Sequence, residues 1–237
     1  MKSMQMGLRF ILANHSGMDL HNGMLPHHTK IDFWEEYARQ VLLWFEPSTY
    51  SSLILADKPD LVDVSSSLGV EVTRSLRASD EEIDAVYAQY LIEEDTERRK
   101  RLMERLSQLN ACVNEYVCLH PPGRDSFSAI LDRHEKKLRL LNRKGYRVFD
   151  HNHLFVMSGI LANDAMLEDA LSQFEKMAAS FEIPFERVIV AVPGYVYEFN
   201  IRDNGCSFTK LDRSIQYKLA MEARRSVLEA EHIYAAK

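Results

Sequence analysis

The sequence predicts a mixed α/β domain in which helices cover at least one face of a central sheet. Two observations predict this class. Short apolar segments of strand length alternate with amphipathic segments of helical period along most of the chain. An Asn204-Gly205 pair also separates two strand-like runs, which is typical of a β-hairpin. The 237 residues, 46% hydrophobic and 27% charged, are enough for one large domain with its own core.

The first half of the chain is predicted to begin with a helix and three strands. Apolar residues recur at helical spacing over residues 30–45, and Pro47 follows that helix. Strands are predicted over 52–56, 61–64 and 68–73, since each is a short run rich in aliphatic residues. A long helix is predicted over 79–109, with an acidic first half and a basic second half.

The second half continues the alternation. Helices are predicted over 126–143 and 163–181, and each is followed by an apolar strand, at 154–157 and 188–192. The hairpin is predicted from 195–201 and 206–211, and the chain from residue 213 onward is predicted to be helical. This order favours one sheet with helical connections.

Composition and motifs exclude several classes of protein. Cys112, Cys118 and Cys206 form no C-x-x-C pair, so neither a disulfide framework nor a structural zinc site is expected, and a reduced, cytoplasmic protein is favoured. No apolar run approaches 18 residues and the first residues do not resemble a signal peptide, so no membrane association is expected. The common nucleotide-binding, zinc-protease and serine-hydrolase motifs are absent.

Two carboxylates are the best candidates for chemistry. Asp60 follows Pro59 at the start of a short predicted strand, and Glu71 lies eleven residues later inside an otherwise apolar strand. A buried carboxylate needs a partner because an unpaired buried charge is unfavourable. Neighbouring strands that each present a carboxylate would form a hard-oxygen site suited to Mg²⁺ or Mn²⁺. Alternatively, Asp60 is a surface turn residue and Glu71 pairs with a nearby arginine, Arg74 or Arg77.

Pro59-Asp60 followed by Glu71-Val72-Thr73 resembles the PD-(D/E)XK nuclease superfamily over residues 30–160. The resemblance implies a restriction-endonuclease-like fold in a single domain, residues 1–237, with residues 78–122 as a helical insertion. It implies that Asp60 and Glu71 hold a catalytic Mg²⁺ or Mn²⁺. A glutamate of the first helix often completes such a site, and Glu35 is the candidate here, whereas its neighbour Glu36 is expected to face solvent. Asp63 is a further candidate ligand.

The resemblance is incomplete at the lysine position, which Thr73 occupies. In some members of the superfamily the lysine comes from the following helix, and here Lys137 is the candidate. It shares an inward-facing stripe with His134, whereas Lys136 points about 100° away on the helical wheel. Alternatively, Lys137 extends along the stripe to solvent.

Residues 133–147 contain seven basic residues and one acid, the densest positive stretch in the chain. This stretch predicts contact with a nucleic-acid backbone, although an ordinary solvated helix face is the alternative. The candidate phosphate-binding residues are Arg133, Lys136, Arg139, Arg143 and Lys144. Tyr146 and Phe149 are interleaved and are predicted to stack on bases. Two histidine groups, in residues 14–30 and at His151-Asn152-His153, are attributed to loop and turn structure, and a metal site is the alternative for each.

Two functions follow from these residues. The first is a Mg²⁺- or Mn²⁺-dependent hydrolase of nucleic-acid phosphodiester bonds, with Asp60, Glu71 and Lys137 as the catalytic residues. The second is a catalytically inactive nuclease-fold protein that serves as a binding or assembly module. Thr73 and the net charge of −6 favour the second. A homo-oligomer is compatible with either function.

Overall fold

The computed structural model describes residues 29–75, 78–113, 118–119 and 126–235. They fall into two compact units, of which the larger comprises 29–75 and 126–235 and the smaller 78–113 and 118–119. The larger unit is an α/β domain with a seven-stranded mixed sheet flanked by helices. None of the helices described is both long enough and apolar enough to cross a membrane. The predicted histidine group at residues 14–30 lies almost wholly outside the described residues.

Sixteen elements follow one another along the described chain. In order they are α1 (Phe33–Phe45), α2 (Pro47–Tyr50), β1 (Ile54–Leu55), β2 (Leu61–Asp63), β3 (Leu68–Ser75), α3 (Ala78–Ile92), α4 (Thr96–Gln108), β4 (Cys112–Val113), β5 (Cys118–Leu119), α5 (Ser128–Leu141), β6 (His151–Ser158), α6 (Asp164–Ala178), β7 (Arg187–Val192), β8 (Tyr195–Asn200), β9 (Gly205–Lys210) and α7 (Arg213–Ala235).

The large sheet has the strand order β1-β2-β3-β6-β7-β8-β9. Its centre, β3-β6-β7, is parallel, and antiparallel strands extend it on both sides. The predicted strand 52–56 was wrong in extent, because only Ile54 and Leu55 pair. They form the outermost strand, and Ile54 is 59% exposed because nothing pairs with β1 on its outer side among the described residues.

One face of the sheet forms a single core with α5 and α6. Leu138 of α5 and Phe174 of α6 are fully buried there together with Leu154, Val190 and Phe199 of the sheet. Alternation along the strands sends their neighbours, such as Phe155 and Ile189, to the opposite face, and these are buried as well. The centre of the sheet is therefore covered on both faces, as is usual for parallel strands.

Helix α1 begins where Asp32 caps it, since its carboxylate accepts hydrogen bonds from the backbone N–H groups of Trp34 and Glu35 at 2.7 and 3.1 Å. Helix α7 packs along α1. The prediction that Glu36 faces solvent was wrong, because its side chain is buried. Burial alone would raise the pKa of Glu36, but hydrogen bonds from Arg39 and other side chains hold that pKa below its usual value.

The smaller unit contains two helices where one was predicted. Helix α3 ends at Ile92, and Asp95 begins α4 by accepting a hydrogen bond from the backbone N–H of Arg98 at 2.8 Å. A capping residue within the predicted helix therefore divides it. Ile83 and Leu106 are fully buried within this unit.

Gly69 of β3 permits a close packing contact that any side chain would disturb. A Cβ atom at this position would lie 2.8 Å from both Phe149 Cδ2 and Pro59 Cγ. We expect Gly69→Ala to lower the free energy of unfolding by about 1–3 kcal/mol, the usual effect of overpacking. Urea unfolding measures the change. Gly205→Ala is the matched control because a Cβ there meets nothing within 4 Å, and an equal effect of both substitutions would contradict the prediction.

Candidate active site

A notch forms at the edge of β3 because β2 stops short of its end. Strand β2 pairs with Leu68–Val70, whereas the rest of β3, from Glu71 to Ser75, has β6 as its one partner among the described strands. Asp60 lies at the start of this notch. Its Oδ2 accepts a 2.6 Å hydrogen bond from the backbone N–H of Val72, so the carboxylate is held against the open edge of the strand.

Glu71 is the buried member of the site. Its side chain points to the face of the sheet covered by α5 and is only 2% exposed. The ammonium group of Lys137 pairs with Glu71 Oε2 and also lies 3.7 Å from Asp60 Oδ2. Burial raises the pKa of Glu71 and the nearby Asp60 adds to the rise, whereas Lys137 opposes it. One lysine therefore bridges the two carboxylates.

Glu35 of α1 is the third carboxylate of this cluster. Burial raises its pKa to about 7, and the negative charges of Asp60 and Asp32 contribute to the rise. Glu71 raises this pKa further and Lys137 lowers it, so Glu35 lies within electrostatic range of the whole cluster. Glu35 therefore adds a third carboxylate within electrostatic range of Lys137, and the combined charge of the three carboxylates and the lysine is negative when all are ionised.

The chemistry of these donors fits a hard divalent cation. Carboxylate oxygens are the ligands that Mg²⁺ and Mn²⁺ prefer, and Asp60 Oδ1 and Glu71 Oε1 accept no hydrogen bond from any residue that the structure describes. Three metal-ligating side chains do not converge closely enough to form a ready coordination group anywhere in the described part of the chain. Lys137 already neutralises part of the charge at this position.

Asp63 lies outside the cluster, contrary to its candidate role as a ligand. One carboxylate oxygen accepts hydrogen bonds from the backbone N–H and the hydroxyl of Ser65, and the other from the hydroxyl of Ser66 at 2.8 Å. These bonds close the turn between β2 and β3, and they lower the pKa of Asp63. Asp63 has a structural role as a turn cap.

The basic stretch on α5 and after it is largely free of carboxylate partners. Lys137 and Arg139 are the exceptions, because Lys137 pairs with Glu71 and Arg139 pairs with Glu135 at 2.6 Å. No described carboxylate forms an ion pair with the others: Arg133, Lys136, Arg143, Lys144 and Arg147. Lys136 is exposed and Lys137 half-buried, as expected for neighbouring positions on a helix.

The aromatic residues predicted to stack on bases have structural positions instead. Phe149 is buried against Gly69, and the guanidinium of Arg147 lies 4.5 Å from the centre of its ring. Tyr146 packs against the core. Trp34 of α1, in contrast, is an exposed aromatic residue. It is 37% exposed, and Arg74 lies over its ring.

A second polar cluster lies around Arg187. The guanidinium pairs with Glu46 at 2.6 Å and with Glu198, and it lies 5.7 Å from the centre of the Tyr50 ring. The Tyr50 hydroxyl is 3.0 Å from Nδ1 of His153, which is buried. Burial lowers the pKa of His153 to about 3. The ion pairs of Arg187 with two glutamates favour a structural role for this cluster.

The prediction that His151, Asn152 and His153 form a turn was wrong, because all three belong to β6. The other two residues of this group also have local partners. His151 Nδ1 lies 2.9 Å from a carboxylate oxygen of Glu186, and Asn152 bonds to both the N–H and the carbonyl of Phe149.

Comparisons of this chain with protein-family models, curated proteins and solved structures found no match.

Proposed function

We propose that this protein is a metal-dependent nuclease, with its site in the notch of β3. The observation that carries the proposal is the position of Lys137, whose ammonium contacts Glu71 and lies 3.7 Å from Asp60. Two carboxylates on a sheet edge with a lysine between them are suited to phosphodiester hydrolysis. The parallel pair β3 and β6, with α5 between them in sequence, supports a restriction-endonuclease-like arrangement of the sheet.

Each residue of the site has a role in this proposal. Asp60 and Glu71 would hold the cation, and Glu35 would join them only on a closer approach than the described residues show. Bound Mg²⁺ or Mn²⁺ would lower the pKa of water and stabilise the charge that develops on the phosphate. Lys137 takes the role of the lysine that Thr73 does not supply, by donating hydrogen bonds to a phosphate oxygen or by orienting the attacking water.

The cations of α5 and the following turn that lack a carboxylate partner among the described residues supply the binding surface. Arg133 and Lys136 flank Lys137 in sequence, and Arg143 and Lys144 follow the helix. Positive groups in this position would contact the phosphates on either side of the scissile bond and thereby set the register of the strand. The overall charge of −6 means that this attraction is local and depends strongly on salt.

Cleavage assays test the proposal. Plasmid, single-stranded DNA and RNA are incubated with the protein in Mg²⁺, Mn²⁺ or EDTA. We expect metal-dependent cleavage that Asp60→Asn and Glu71→Gln each reduce by on the order of 10²–10³-fold, as for removal of one electrostatic group from an active site. Asp63→Asn is the matched control because asparagine can still cap the turn. Activity that survives both site substitutions would refute the assignment.

A catalytically inactive binding module is the second candidate, and one observation favours it. Lys137 already forms an ion pair with the buried Glu71, which is sufficient to explain both residues structurally. Calorimetric titration with Mn²⁺ separates the two functions. Heat of binding that Glu71→Gln abolishes favours the nuclease, whereas no Mn²⁺ binding and no cleavage together favour the module.

A further inference from the structure

Trp34 presents an aromatic surface next to the proposed site. It directly precedes Glu35 on α1, and 37% of the residue is exposed. Phe33 and Tyr37 contact its indole in edge-to-face geometry, with ring centres 5.0 and 6.4 Å away. These neighbours fix the plane of the ring, so the exposed indole has a defined orientation.

Arg74 adds a positive charge to this surface. Its guanidinium carbon lies 5.0 Å from the centre of the Trp34 ring. Arg74 belongs to the part of β3 that β2 leaves open, three residues after Glu71. Alternation along the strand puts the two side chains on opposite faces, with Thr73 on the face of Glu71. Trp34 and Arg74 therefore lie on the far side of the notch from Lys137.

An aromatic ring combined with a guanidinium matches the two parts of a nucleotide. A ring of this kind stacks on a base, and the cation attracts the neighbouring phosphate. On the Lys137 side of the same site, Arg133 and Lys136 of α5, which form no ion pair with a described carboxylate, would provide phosphate contacts. Together the two sides of the notch offer backbone contacts on one side and a base-stacking surface on the other.

We propose that Trp34 and Arg74 bind an unpaired nucleotide, so that the preferred substrate is single-stranded nucleic acid or a frayed end of a duplex. The proposal rests on the nuclease function above. A base inside a duplex has both of its faces covered by neighbouring bases, and an indole reaches it only after it leaves the stack. Trp34 thus selects for strands that need no such opening.

The chain itself provides the reporter for a binding test. It contains two tryptophans, Trp34 and Trp44, so Trp44→Phe leaves Trp34 as the sole indole. An oligonucleotide and a blunt hairpin duplex of equal length are titrated in EDTA, where metal-dependent cleavage cannot occur. We expect the single strand to quench Trp34 fluorescence and to bind at least tenfold more tightly than the duplex. Trp34→Phe, which leaves only Trp44, should show no quenching.

Substitutions identify the contribution of stacking. Trp34→Ala should weaken binding of the single strand by roughly 10- to 100-fold, the range for loss of one stacked base, and Trp34→Tyr should retain most of the affinity. Arg74→Gln should lower the number of counterions released on binding by about one, and the affinity should therefore depend less strongly on salt. Phe208→Ala is the matched control, because Phe208 of β9 is a 55% exposed aromatic residue away from the notch. Circular dichroism verifies that each variant is folded.

The outcomes separate this inference from the proposed function. Quenching of Trp34 by single strands with no cleavage in any metal supports the nucleotide site and contradicts the nuclease. Metal-dependent cleavage with no Trp34 quenching, and with equal loss of binding in Trp34→Ala and Phe208→Ala, supports the nuclease and overturns the inference. Equal affinity for single strand and duplex also overturns it.

Discussion

Replacing Lys137 with methionine is expected to abolish cleavage and to lower the free energy of unfolding by about 3–5 kcal/mol. Methionine has a similar length but no charge, so the substitution leaves Glu71 buried and without its cation, beside the negative Asp60. Removing one partner of a buried ion pair has an effect of this size, because the remaining charge stays desolvated. Urea unfolding and the cleavage assay measure the two effects separately.

The double variant Glu71→Gln with Lys137→Met distinguishes the structural from the catalytic role. Both charges are absent, so the stability is expected to return to within about 1 kcal/mol of the parent protein, whereas cleavage should remain absent. Lys136→Met is the control, since the neighbouring lysine is exposed and a surface substitution changes stability by about 0.5 kcal/mol or less. The prediction is wrong if the double variant is as unstable as the single one, or if Lys137→Met still cleaves.

Acid is expected to destabilise the protein strongly, and His134 is a main cause. This residue is fully buried in α5 against Phe174, and neither ring nitrogen has a hydrogen-bond partner among the described residues. Burial lowers its pKa to about 4 from an ordinary value of 6.5. In the unfolded chain His134 is therefore protonated below about pH 6.5, whereas in the folded protein it becomes protonated only at about pH 4.

Stability consequently falls as the pH decreases through this range and is retained above it. The pKa shift of His134 corresponds to a decrease of about 3 kcal/mol in the free energy of unfolding between pH 6.5 and pH 4. His134→Leu should remove this part of the pH dependence, and it should raise the free energy of unfolding at pH 7 by about 1–2 kcal/mol, because two unsatisfied buried nitrogens disappear.

Urea unfolding of both proteins at several values between pH 7 and pH 4.5 tests this prediction. Other groups, including Glu35 and the buried His153, titrate in both proteins, so the difference between them isolates His134. Parallel stability curves for His134→Leu and the parent protein would rule out the buried, neutral histidine.

The sequence was sufficient to predict features that depend on local periodicity. Helices α5 and α6, strand β3 and the β8–β9 hairpin lie within a few residues of their predicted positions. The approach of Lys137 to Glu71 and Asp60 also follows the helical stripe and the strand alternation. In each case the direction of the side chain is determined by the period of its own element.

Features that depend on distant parts of the chain could not be predicted in this way. Glu35 and Glu36 are neighbours on α1, and Glu36 is buried because α7 packs on that side. Asp63, in contrast, had a local signal that was overlooked. The serines at 65 and 66 follow it at the spacing of an aspartate-capped turn, and this reading would have excluded Asp63 as a metal ligand.

The packing of α7 along α1 has a consequence for control of the molecule. Helix α1 carries Trp34 and Glu35, whereas Asp60, Glu71 and Arg74 belong to the sheet and its edge. Helix α1 also contacts β3, so a change in the packing of α7 would shift Trp34 and Glu35 relative to Asp60 and Glu71. A ligand bound to the outer surface of α7 would in this way alter the proposed site without entering the notch.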